Sequence, residues 1–227
     1  MKKIITALFL ITSLNSVFAQ QSAEVQATLG IIKKNLGQSA ANLKTYSWLE
    51  TTTVFVDGEQ KSSSMNQCYY SVDGKLNKVA TANASGTKAP GGLRGKAAAN
   101  KKAEIEAYLK QCAALIQTYL PPVSDKLQKI YAAGTVAINV LKPNVQYKLD
   151  FPNYNLAGDK MSVSVDKVKG LLMGVAVNSY IKKPEDAVAF TLVYNTLPDG
   201  TQFPTETVLT AAAKKVKIVI VNSGYKK

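Results

Sequence analysis

The sequence contains no histidine, and that absence removes both the commonest general base and the commonest metal ligand from any mechanism. Arginine occurs once, at Arg94, inside GTKAPGGLRGKAAANKK (residues 86–102), the most basic and least patterned stretch of the chain. Cysteine occurs twice, at Cys68 and Cys112. Beyond the first twenty residues no segment is both long and apolar enough to halt export across a membrane. Acidic residues number 15 against 28 lysines and arginines, a net charge of +13.

What is present at the start is a secretory pattern. Lys2 and Lys3 precede the apolar run Ile4 to Leu14, and Val17-Phe18-Ala19 offers small residues at the two positions a signal peptidase reads. Residues 1–19 are therefore expected to be a signal peptide, and residues 20–227 one soluble domain in the periplasm or another exported compartment. Gln20 stands where lipoprotein processing needs a cysteine. The roughly 200 residues that remain are enough to bury a sizeable core. About eleven excess positive charges remain once Lys2 and Lys3 are removed. Outside the cytoplasm they point to anionic lipid headgroups before nucleic acid, although solubility alone explains them equally well.

Periodicity divides the chain into helix, strands, helices and strands. From Ser22 to Leu43, Val25, Leu29, Ile32, Leu36, Ala40 and Leu43 recur every three or four residues, as one face of a helix requires. Tyr46 to Val56, Met65 to Ser71 and Leu76 to Ala82 read as three antiparallel strands joined at Asp57-Gly58 and Asp73-Gly74. Residues 83–100 show neither period and read as a loop. A long helix then carries Ile105, Tyr108, Leu109, Cys112, Leu115, Ile116, Tyr119 and Leu120 on one face, and Pro121-Pro122 ends it. A short helix through Leu127 and Ile130 closes at Gly134. Period two returns over 136–141, 161–166, 171–180, 188–195, 206–212 and 216–222. The predicted fold class is α+β: a curved antiparallel sheet, or half-barrel, with helices packed on its concave face.

The catalytic motifs fail one by one. A P-loop ending at Gly95-Lys96 would need glycine where Pro90 stands and Ser or Thr where Ala97 stands. Ser85-Gly86-Thr87-Lys88 has the Ser-x-x-Lys spacing, but Gly86 and the following Ala-Pro-Gly-Gly oppose the helical turn that would bring lysine to serine. Residues 86–102 lack the aromatics that would stack on bases, so no nucleic acid is expected as a partner. Asp150, Asp159, Asp166, Glu185, Asp186 and Asp199 fall mostly at turns, where Asp serves local hydrogen bonding, and they show no metal-loop spacing. No enzyme, no metal and no cofactor are expected. Cys68 and Cys112 both fall on apolar faces, where they either pair as a disulfide tethering helix to sheet or remain two inert buried thiols.

The helix before NLKTYSWLETTTVFVDGE, the strand-turn-strand CYYSVDGKLNKV, the mid-chain helices and the late strands from GDKMSVSVD to VLTAAAKKVKIVIVNS resemble the LolA/LolB-type periplasmic lipoprotein carriers. That resemblance implies an unclosed β-barrel with a helical lid, and a hydrophobic cavity between sheet and helices that accepts acyl chains. The expected partner is a lipid or lipidated protein. The candidate cavity residues are Trp48, Phe55, Tyr70, Tyr108, Leu115, Ile116, Met161, Met173 and Phe190, which either line such a cavity or fill it. In LolA-type carriers a strand arginine holds the lid, whereas Arg94 lies in the predicted loop, so no position inherits that role. LolB-type receptors present an apolar residue on a protruding loop. Leu93, with Arg94 and Lys96 beside it, is similar in character and is the candidate contact with an anionic membrane surface. The alternative is a structural or protein-interaction module of the envelope with a filled core. The oligomeric state is not legible.

Overall fold

The computed structural model describes residues 27–83 and 92–227; the expected signal peptide lies outside them. Helix α1 covers residues 27–43. Strands β1 (Ser47–Val56), β2 (Glu59–Tyr70) and β3 (Leu76–Asn83) follow, then helices α2 (Gly92–Gln117) and α3 (Ser124–Ala132). Seven more strands complete the chain: β4 (Ala137–Lys142), β5 (Gln146–Pro152), β6 (Lys160–Asp166), β7 (Leu171–Tyr180), β8 (Ala187–Thr196), β9 (Gln202–Ala211) and β10 (Val216–Lys226). No helix among the described residues is long and apolar enough to cross a membrane.

All ten strands form one antiparallel sheet in the order β3-β2-β1-β10-β9-β8-β7-β6-β5-β4. Only one neighbour pair is distant in sequence: β1 lies against β10, with Val56 opposite Val216. Tight turns make the rest. Asp57 and Gly58 both take positive φ between β1 and β2, as the sequence reading requires of a hairpin. Because β3 and β4 end the order without meeting, the sheet is unclosed, and the predicted α+β half-barrel is present.

Alternation along the strands gives one inner face. Leu149 and Phe151, Met161 and Val163, Val175 and Val177, and Val188 and Phe190 are buried there, together with Ile32 of α1, Tyr108, Cys112, Ile116 and Tyr119 of α2, and Leu127 of α3. The helices lie across opposite rims. α1 is tied to the turns at one end of the strands, with Asn35 Nδ2 donating to Gly170 O at 2.8 Å and Asn42 Nδ2 to Thr201 Oγ1 at 3.1 Å. α2 crosses the other end, where Tyr108 Oη donates to the Asp186 carboxylate and Tyr119 Oη to that of Asp159.

Three expectations need correction. The predicted loop over 83–100 is helical from Gly92 onward, since α2 begins more than three turns before Ile105, where its apolar stripe starts. The sequence predicts no strand at β5, which Pro143 precedes and Pro152 ends, yet Tyr147, Leu149 and Phe151 share one face and pair with Val165, Val163 and Met161. β2 starts at Glu59 and not at Met65. Its first half is exposed on both faces, so it carries no alternation to read.

Candidate functional site: an apolar cavity under the first helix

Gly170 decides how closely α1 approaches the sheet. It closes the β6–β7 turn at φ +63°, and a Cβ there would stand 2.5 Å from Ile31 Cγ2. With only hydrogen at that point, Asn35 reaches the Gly170 carbonyl and α1 settles against the rim. Its apolar stripe then faces β6–β9 without filling the space between. The result is a cavity of about 670 Å³, partly open to solvent. Leu29, Ile32, Leu36, Ala40 and Leu43 form the α1 wall, and Val163, Leu172, Val175, Leu192 and Tyr194 the sheet wall. The elbow Leu120-Pro121-Pro122 and Leu127 of α3 close a third side.

The two buried polar side chains of this wall are bonded within the protein. Ser39 Oγ accepts the Gln202 N–H at 3.0 Å, and Gln202 Nε2 donates to Leu172 O at 2.7 Å. Both side chains are buried. Lys33, exposed on α1, is the single charged residue of the lining among the described residues. Such a wall offers hydrocarbon contact and no convergent catalytic or metal-binding group. Among the described residues no cluster of three or more His, Cys, Asp or Glu side chains could hold a metal ion.

The nine predicted cavity residues lie elsewhere. Tyr108, Ile116, Met161 and Phe190 belong to the filled core, and Leu115 packs against its edge. Burial raises the Tyr108 hydroxyl well above its usual range, and the bond to Asp186 adds to the effect. Trp48 and Tyr70 belong to an aromatic group toward β2, where Trp48 stacks on Tyr225 at 5.5 Å, lies 5.9 Å from Tyr70 and donates from Nε1 to Asn222 Oδ1 at 3.2 Å. Phe55 pairs with Lys217, on the face opposite the buried Val56 and Val216. Met173 falls at the register shift between β6 and β7 and is half-buried outside the core cluster. None of the nine lines the cavity. The signal that would have found it was the α1 stripe: its five members within the described residues, Leu29, Ile32, Leu36, Ala40 and Leu43, all line it, and Val25 lies outside those residues.

The remaining candidates are also placed. Leu93 and Arg94 stand in the first turn of α2, not in a loop, and Lys96 is exposed on the same helix. The expected placement of Leu93 on a loop is therefore replaced by a helical one. Cys68 and Cys112 are free, buried thiols rather than a disulfide. They sit in different surroundings: Cys112 in the core near Tyr108 and Asp186, Cys68 by Glu50 and Lys78 on the β1–β3 side. Burial pushes the Cys112 thiol up to about 11 and raises that of Cys68 as well.

No family model matches the chain, and no curated protein does. Solved structures similar to it include a DUF1329 family protein from Desulfovibrio piger, at 9% identity and a TM-score of 0.32. Others are a protein domain from Vibrio parahaemolyticus described as outer membrane lipoprotein-sorting, at 12% and 0.35, and a LolA superfamily protein from Nitrosomonas europaea, at 9% and 0.35. Each covers 86% of this chain and 92% of its own. At this level of identity and superposition the likenesses carry no argument about function. The unclosed sheet with helices on its inner face, which the resemblance to LolA/LolB-type carriers implies, rests on this chain's own strand order and core.

Proposed function

We propose that this chain is an exported carrier or sensor of acyl chains, with the cavity between α1 and strands β6–β9 as the binding site. The observation that carries the reading is the cavity itself: about 670 Å³ bounded by leucine, valine and isoleucine, with its buried polar side chains already satisfied. Burial of hydrocarbon at roughly 25 cal/mol per Å² can hold a long chain tightly without any catalytic group. The role is binding and delivery of a lipid or lipidated protein. In this reading Leu93, Arg94 and Lys96, at the start of α2, supply the contact with an anionic membrane surface.

Titration with a fluorescent fatty acid tests it. Leu36→Asp places a charge in the cavity wall and should abolish binding, whereas Leu141→Asp, on the exposed edge strand β4, should leave it unchanged. Equal binding by both variants would remove the cavity from the account.

A further inference from the structure

The dimensions and charge of the cavity say more than that hydrocarbon fits. We propose that it takes one single-chain amphiphile with an anionic head, and that it excludes the multiply acylated anchor of a lipoprotein; this rests on the acyl-chain reading above. About 670 Å³, at roughly 30 Å³ per heavy atom, the liquid-volume share of a water-sized group, holds about 22 heavy atoms. One chain of sixteen to eighteen carbons fills it. Three such chains would need on the order of 1,400 Å³ on the same scale. The shape agrees with the volume, because the α1 wall runs from Leu29 to Leu43, about 21 Å at the helical rise, along a single line of side chains.

The wall also selects the head. With Ser39 accepting the Gln202 N–H and the Gln202 side chain bonded to both the N–H and the carbonyl of Leu172, the two buried polar side chains are already engaged with the protein. A polar group on the ligand therefore stays at the solvent side. There Lys33, one turn from Leu29, Leu36 and Gly37, is the one charged lining residue among the described residues, and none of those lining residues is acidic. A carboxylate or phosphate head gains an ion pair at that position. A neutral head gains only a hydrogen bond there, without the charge pairing.

Calorimetry below the critical micelle concentrations separates the cases, using palmitate, palmitoyl lysophosphatidate, hexadecanol, dipalmitoyl phosphatidylglycerol and a tripalmitoylated lipopeptide. Palmitate and the lysophosphatidate should bind one per chain, and the tighter of the two identifies the head. Hexadecanol should bind about two- to fivefold more weakly, the scale of an exposed ion pair. Lys33→Gln should lower palmitate affinity by that same factor and leave hexadecanol unchanged. The two-chain and three-chain lipids should bind at least tenfold more weakly than palmitate. A lipopeptide that binds as tightly as palmitate overturns the one-chain limit while leaving acyl binding intact. An unchanged palmitate affinity in Lys33→Gln overturns the anionic selection. Failure of every ligand, hexadecanol included, instead removes the acyl-chain reading on which the proposal stands.

Discussion

Replacing Tyr119 by Phe should loosen the carboxyl end of α2 without disturbing its packing. Tyr119 is fully buried and its ring stacks on Tyr154 at 5.6 Å, a contact that Phe keeps. What is lost is the hydroxyl, which donates to Asp159 Oδ2 and lies 2.8 Å from Ser179 Oγ. Asp159 is itself buried, and its Oδ2 also accepts the Asn155 and Leu156 N–H groups at 2.9 and 2.7 Å. A hydrogen bond to a buried charged partner is worth about 1.5–3 kcal/mol, so a loss near 2 kcal/mol is expected. At a urea slope of about 2 kcal/mol per M the unfolding midpoint should fall by about 1 M at pH 7. Burial, followed by the bond to Asp159, raises the Tyr119 hydroxyl above its usual value near 10. The folded protein therefore keeps a proton that the unfolded chain gives up, and this contribution is full below pH 10 and fades as pH rises above it. The gap between wild type and variant should narrow accordingly in alkaline buffer. A midpoint shift under about 0.3 M at pH 7 would refute the reasoning, because the network would then contribute no more than an ordinary surface contact.

Gly170→Ala forces a methyl group toward Ile31 at a backbone angle that disfavours side chains; it should cost about 1–2 kcal/mol and weaken fatty-acid binding severalfold, as measured by urea unfolding and probe titration. Both thiols should resist alkylation in the native protein and react after unfolding, since Cys68 and Cys112 are fully buried and burial suppresses their ionisation. Intact mass before and after denaturant reads this directly, and rapid labelling of either in the native state contradicts the packing around it.

The helical stripes and most strands were legible because each buries one face and so carries a period. α1 showed its wall residues Leu29 to Leu43 plainly, and Val163 and Val165 alternated with polar neighbours as a half-buried strand must. β5 and the first half of β2 were not legible, for opposite reasons. Prolines at 143 and 152 made a paired strand read as turn, and the run from Glu59 to Ser64 is wet on both sides and leaves no pattern. The candidate cavity residues and the cavity differ because of a related ambiguity. An apolar stripe says that a face is buried but not whether side chains or empty space lie opposite. The stripe of α2 joins Phe151, Met161 and Val177 in a filled core, whereas that of α1, although Ile32 belongs to the same core, also borders a cavity. That difference arises from rim contacts more than 130 residues apart in sequence, such as Asn35 to Gly170, and no local period encodes them.

The central claim, that hydrocarbon occupies the space beneath α1, is tested most directly by the affinity of saturated fatty acids of increasing length. Each added methylene should contribute about 0.8 kcal/mol, roughly fourfold in affinity, while it finds wall to cover. The rise should continue to about sixteen or eighteen carbons and then flatten, when a cavity of about 670 Å³ is full. Affinity that is independent of chain length, or no binding at sixteen carbons, would contradict the account.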